Sequence, residues 1–221
     1  MGKWLPSTIG NLVADAYSAL LPGVPGANTT GNVVAQAVGE ILAKRSERAF
    51  HILLDEVRRA DIPTHSLDDI EPALAMMLRY QRAALEGAAL HNRRLMAQVF
   101  SGVSQRRPLV AEDFQNWADA LQGLRRSEVI AIGEVHRYTI ECRNRPAPND
   151  FGREAEAFAQ NLVPEPFRSE DELLAVCQAA SRTGLIMGQG DQNLFPYAST
   201  PLMDELAKLS DFESAVRKAR L

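Results

Sequence analysis

Cations are missing where the chain is most apolar. From Trp4 to Ala43 there is no lysine and no arginine, and Asp15 and Glu40 are the only acids there. An uncharged stretch of that kind is either the best-buried part of a core or a surface meant for a membrane or a partner. Cysteine is scarce too. Cys142 and Cys177 are the only two, which excludes a disulfide framework and makes a reducing cytoplasm the expected setting, with both thiols as small buried hydrophobes. Long apolar runs are also lacking. The weakly charged stretch is broken by Asn11, Asp15, Pro22, Gly23, Pro25 and Gly26, whereas a membrane-spanning helix needs about 20 apolar residues in a row. A signal peptide is not expected either. Lys3 would supply its basic end and Ala27 would precede the cleavage point, but Asn11, Asp15 and Ser18 interrupt the apolar centre. No internal repeat, low-complexity tract or catalytic motif is present.

What is there suits a globular chain. Of 221 residues, 46% are hydrophobic and 24% charged, enough for one large or two small domains whose core needs no metal or disulfide staple. The net charge of −4 is unevenly spread. Residues 1–63 balance at six basic and six acidic, residues 64–109 carry +2, residues 110–145 carry −1, and residues 146–221 carry −5. The acidic C-terminal third is a poor match for a phosphate backbone.

Helical periodicity dominates. The first helix is predicted over 8–21, stopped by Pro22-Gly23. A second begins at Asn32 and runs to about Ala60, with Val34, Val38, Ile41, Leu42, Ala49, Ile52, Leu53 and Val57 on its apolar face. Ser66, followed by Asp68 and Asp69, opens a third that continues to Ser101, with Gly102 as its stop. Further helices are predicted over 111–121, 127–142 and 153–162. Arg145-Pro146-Ala147-Pro148-Asn149-Asp150 is the clearest linker and divides a helical body, residues 1–145, from a smaller C-terminal subdomain, residues 151–221. In that subdomain Ser169 and Glu172 form a capping box for a helix ending at Arg182-Thr183-Gly184. Leu185–Met187 and Leu194–Tyr197 are short strands, and Thr200-Pro201 starts a helix that ends near Leu209. The expected fold is therefore mostly α: a bundle-like body with a small C-terminal element of helix, two-stranded hairpin and helix.

The first constellation is a pair of small-residue stripes. Gly10, Ala14 and Ser18 fall four apart on the first helix, and Gly31, Ala35, Gly39 and Ala43 four apart on the second. Such spacing lets another helix come close. With their apolar neighbours they make a candidate interaction surface of Trp4, Ile9, Gly10, Leu12, Val13, Ala14, Leu20, Leu21, Val24, Gly31, Ala35 and Gly39. A helix over 8–21 is only about 21 Å long, too short to cross a bilayer core alone. Trp117 joins these residues if exposed and the core if buried. Glu47, His51 and Asp55 fall four apart and could present ligands to a divalent cation, but neighbouring Arg48, Arg58 and Arg59 favour a solvated, salt-bridged face. The 127–142 helix carries Glu134, His136, Tyr138, Glu141 and Cys142, yet His136 and Cys142 point about 120° apart on a helix, which is no nucleophile–base pair. Gly188-Gln189-Gly190 opens no helix and reads as a turn. Arg93-Arg94 and Arg106-Arg107 form a candidate anion patch; taken singly they are ordinary surface charges.

The order of elements over 170–209, together with Arg182-Thr183-Gly184-Leu185-Ile186, resembles the C-terminal half of a winged-helix module. In that family the helix before the hairpin is usually the recognition helix and the hairpin turn the wing. Here the helix begins Glu170-Asp171-Glu172 and the turn carries Asp191 without lysine or arginine, whereas groove readers place cations on phosphates and polar side chains on bases. The resemblance thus implies protein contact or packing more than DNA binding. No catalytic, cofactor or metal set is assigned. The expected protein is a non-enzymatic interaction or regulatory protein, cytoplasmic and working through apolar helix faces on a protein partner or on copies of itself. The alternatives are a membrane-associated protein that inserts its N-terminal hairpin, and a winged-helix DNA binder.

Overall fold

The computed structural model describes residues 31–60, 70–105, 110–144, 151–190 and 195–220. Those residues form nine α-helices and one two-stranded antiparallel hairpin, a mostly α protein with a small α+β C-terminal part. The expected helix over 8–21 and the linker at 145–150 lie outside the described residues.

Helix α1 spans Gly31–Arg59. It buries Ser46, Ala49 and Leu53, a three-then-four spacing that sets one stripe against the body. Helix α2 spans Ile70–Leu85 and helix α3 spans Leu90–Ser104. A single helix from Ser66 to Ser101 was expected here, and the chain instead breaks at Gly87. Gly87 adopts φ 100°, a left-handed conformation that residues with a Cβ avoid. Its N–H donates to the Ala84 carbonyl at 3.2 Å, and that of Ala88 donates to Ala83 at 3.0 Å. This pair of bonds is a Schellman C-cap, which ends α2 and turns the chain into α3. Gly102 stops nothing; it lies inside α3, where a Cβ would stand 2.8 Å from Leu209 Cδ2 and 3.0 Å from the Leu209 carbonyl oxygen. Its missing side chain admits the end of a later helix.

Helix α4, Ala111–Gln122, is amphipathic, with Phe114, Trp117, Ala118 and Leu121 buried. Trp117 is therefore core. An Arg79–Asp119 ion pair joins α2 to α4. The Asn92 amide donates to the carbonyls of Gln122, at 3.0 Å, and Leu124, at 2.8 Å, and so holds α3 to the turn after α4.

Helix α5, Arg126–Asn144, is the central element. Every residue from Glu128 to His136 is buried, as are Tyr138 and Thr139, so this middle stretch of the helix is enclosed on all sides. Helix α6 is Phe151–Gln160 and helix α7 is Glu170–Ala180. Ser169 caps α7 by accepting the Glu172 N–H at 3.2 Å, while the Glu172 carboxylate reaches back to the Arg168 N–H at 2.7 Å. A 3₁₀ turn over Ser181–Thr183 leads into strand β1, Ile186–Gly188, which pairs antiparallel with strand β2, Tyr197–Ser199. The second strand lies later than the expected 194–197. Pro196 has no N–H to donate, and its carbonyl instead accepts the Gln189 N–H at 2.8 Å, which closes the pairing at that end.

Thr200 caps helix α8, Pro201–Leu209, with Pro201 in its first turn. A last helix, α9, covers Phe212–Arg220 and was not anticipated. Asp211 Oδ1 accepts the Ser214 N–H at 3.0 Å at its start, and Arg217, Lys218 and Arg220 occupy its last turn, where cations suit the helix dipole. It buries Phe212, Val216 and Ala219 against α5 and α3. Buried side chains from both sides of residues 145–150 belong to one continuous core.

The α5–α9 contact is close because Gly133 has no side chain. A Cβ there would lie 2.2 Å from Val216 Cγ2 and 3.3 Å from the rest of that branched side chain. Alanine gains about 1 kcal/mol of helix propensity over glycine, but overpacking a rigid core costs about 1–3 kcal/mol. Gly133→Ala is therefore expected to destabilise the protein by about 1 kcal/mol, read from urea unfolding. In a Val216→Ala background the same change should become neutral or stabilising. A cost that stays the same in both backgrounds would refute the contact.

Candidate functional site

The expected contact surface is only partly within view. Trp4, Ile9, Gly10, Leu12, Val13, Ala14, Leu20, Leu21 and Val24 lie outside the described residues. Gly31 and Ala35 lie on α1, and their surroundings are likewise outside what is described. Gly39 is exposed, and a Cβ there would meet nothing within 4 Å. Ile41 is 52% exposed, unusual for its type.

Helix α1 is fastened to the body by two bonds near Arg45 and Ala60. The Arg45 side chain bonds the Leu85 carbonyl at the end of α2, and the Gln105 amide, just past α3, bonds the Ala60 carbonyl at 2.8 Å. Ahead of Arg45 on α1, Leu42 and Ala43 are half-buried, while Gly39, Glu40, Ile41 and Lys44 are exposed.

Glu47, His51 and Asp55 are all exposed on α1, and no metal-holding group of three occurs among the described residues. That face is solvated. Arg93 and Arg94 diverge, as consecutive helical residues must. Arg93 is half-buried, with an unpartnered Nε, while Arg94 is exposed. Arg106 and Arg107 lie outside the described residues.

Two grooves flank α9. The first, about 180 Å³, lies between α3 and α9 and includes His91, Arg94, Gln98, Ser214 and Lys218. The second, about 380 Å³, lies between α5 and the α8–α9 corner and includes His136, Ile140, Ser210, Phe212 and Glu213.

His136 invites comparison with a catalytic triad, because a serine and an aspartate both approach it. Ser199 Oγ lies 3.1 Å from Nδ1, and Asp204 Oδ1 lies 3.7 Å from the same atom. In a triad the two partners use opposite ring nitrogens, so that the acid orients the ring while the other nitrogen takes the serine proton. Here they compete for one. Ser199 is buried; its N–H donates to Thr139 Oγ1 at 3.0 Å and its carbonyl accepts from Arg143 at 3.2 Å. Arg143 also pairs with Asp204 at 2.8 Å. The cluster fastens β2 and α8 to α5 and does no acyl-transfer chemistry. Burial holds the His136 imidazole below its ordinary pKa, against the pull of Asp204 and Glu213, so the ring is neutral at pH 7. Cys177 is no nucleophile either, since burial pushes its thiol up to about 12.

Two glutamates on α5 are buried as charges. Glu128, 2% exposed, receives both guanidinium nitrogens of Arg182 and, at 2.7 Å, the Arg125 N–H. Glu134 is paired with Arg137 at 2.9 Å and Arg220 at 2.7 Å, and Arg137 reaches on to Glu213 at 2.8 Å. Burial alone would raise the Glu128 pKa; the Arg182 and Arg125 bonds outweigh it and hold the carboxyl below the usual range.

Among known proteins, no family model, curated protein or solved structure matches the chain. The site therefore stands on its own geometry. The missed feature is α9, which walls both grooves. Its signals were the Ser210-Asp211 cap, Glu213 early and three cations late.

Glu128 supplies a pH test. A carboxyl with a depressed folded pKa stabilises the fold above its unfolded pKa, and the contribution is lost as pH falls through the folded value. Wild type should exceed Glu128→Gln by about 2 kcal/mol near neutral pH in urea unfolding. The gap should shrink below about pH 4.3, where the unfolded glutamate protonates. A gap that does not change with pH would mean that charge is not what stabilises this contact.

Proposed function

We propose that the protein is a non-enzymatic interaction protein, cytoplasmic and regulatory, that associates with a second copy of itself through the face of α1 that carries Gly39 and Ile41. The observation that carries this is the open space around Gly39, beside the half-exposed side chain of Ile41. Gly31, Ala35, Gly39 and Ala43 fall four apart in the sequence and so share one face of the helix, on which Gly39 is open. Two copies of one such face are self-complementary, so a two-fold pairing of α1 with α1 closes on itself. Pairing would cover Ile41 and leave Glu40 at the rim.

This fits better than insertion into a membrane, since no helix among the described residues is long and apolar enough to cross one, and exposed Glu40 and Lys44 flank Ile41. It also fits better than DNA binding. The exposed face of α7 presents Glu170, Asp171 and Gln178, which repel or ignore phosphate.

Sedimentation velocity across a concentration series tests the reading. Wild type should show a concentration-dependent dimer. Gly39→Leu, which fills the open space on that face, and Ile41→Glu, which charges it, should both be monomeric. Because both sites are exposed, their unfolding free energies should stay within about 0.5 kcal/mol of wild type. A wild type that stays monomeric throughout, or variants that still pair, would refute self-association through α1.

A further inference from the structure

The groove between α3 and α9 has a chemistry of its own, independent of α1. Its cations are Arg94 and Lys218, both exposed and neither ion-paired among the described residues. Gln98 spends its carbonyl oxygen on the Asp211 N–H at 3.1 Å, which leaves its amide N–H₂ as a donor. Asp211 is the one acid on the wall, and its Oδ1 is engaged by the Ser214 N–H that it caps. The Ser214 hydroxyl adds another donor. The start of α3 contributes as well: Ala89 at its N-cap has no side-chain acceptor and the first turn carries no acid, so the positive end of the helix dipole is unmet. Against these donors stands one unused group. His91 lines the same groove, and its Nε2 is buried without a partner.

We propose that this groove binds a phosphate-type oxyanion, either free phosphate or a phosphomonoester. Arg94 and Lys218 come from opposite walls, so they can meet different oxygens of a tetrahedral anion. The Gln98 amide and the Ser214 hydroxyl can take the remaining lone pairs. A phosphomonoester turns three strongly accepting oxygens in different directions, which suits donors on two facing walls better than a planar carboxylate. The bound anion lies in the groove that the His91 ring lines, so its charge acts on the imidazole without a direct bond to the buried Nε2. The net wall charge is +1 with His91 neutral, from Arg94 and Lys218 against Asp211. The charges around His91 are those three and Arg126. Burial and Arg126 hold the imidazole low, and a bond to the Leu124 carbonyl partly offsets them. A bound anion favours the imidazolium, so His91 should titrate at higher pH with phosphate than without it.

The experiment uses the full chain at constant ionic strength, with inorganic phosphate as probe and chloride as control, and follows the His91 ring nitrogens by NMR. Phosphate should give a saturable shift with a dissociation constant of about 1 mM or tighter. Arg94→Ala and Lys218→Ala should each weaken it about tenfold, which corresponds to the loss of roughly 1.4 kcal/mol. Arg217→Ala, an exposed α9 cation that does not line the groove, should leave it unchanged, and His91 should show the upward pKa displacement. A phosphoserine peptide measured alongside identifies the source. Tighter binding than inorganic phosphate marks a modified protein partner, equal or weaker binding marks the free anion, and both support the site. A linear, unsaturated response, an equal response to chloride, or equal weakening by Arg217→Ala would overturn it.

Discussion

Two carboxylates buried in the central helix set the terms for the rest of the molecule. Glu128 and Glu134 both face inward on α5, and a buried charge is tolerated only when it is paired and hydrogen-bonded. Each has one partner from far along the chain: Arg182 follows α7, and Arg220 ends α9. The C-terminal third carries the excess of acid, yet it supplies these two arginines to the helical body. Each pairing dictates a packing. Arg182 draws the end of α7 onto the start of α5, where it also bonds the Gly123 carbonyl at 3.2 Å. Arg220, with Glu213 held by Arg137, sets α9 along α5 in the one position where Val216 enters the gap at Gly133. Apolar burial supplies most of the stabilisation, and the charges select the register.

Much of the fold was legible because its local signals agree with its tertiary needs. Ser169 with Glu172, and Thr200 with Pro201, announce the helices that they cap. The period of Phe114, Trp117, Ala118 and Leu121 marks a buried face. Two of the failures share a cause, which is glycine. Gly87 sits among good helix formers and reads as interior, yet it takes the left-handed conformation that divides α2 from α3. Gly102 reads as a stop and is interior, because what it serves is the approach of Leu209 from a distant segment. A glycine has the same letter whether it bends the chain or makes room for a neighbour. Helix α9 is a different failure, since its cap and charge order were readable but it follows α8 almost without a gap.

The sites were less legible than the fold, for a physical reason. Arg94 was noticed beside Arg93, its neighbour in sequence, but helical geometry separates those two side chains. Its groove-mate is Lys218, which only the docking of α9 against α3 brings near. The His136 cluster likewise joins residues from α5, β2 and α8. Local patterns report faces of single elements, whereas grooves arise between elements, and the pairing of elements is the part that spacing alone does not encode. The small-residue stripe of α1 is the exception, because spacing along one helix is a local property.

The lateness of α9 has a consequence for how the chain is made. Helix α5 is synthesised well before its cover: the Arg126 side chain bonds the carbonyl of Ala219, 93 residues further on. Until then the gap at Gly133 is open, and Glu134 lacks one of its two arginines. A ribosome translating this protein therefore extrudes a central helix that cannot yet be enclosed, and such long-range closure is slow. Until α9 is made, the faces of α5 and α3 that it covers are open to solvent, and the enclosure of the central helix waits on the last residues described.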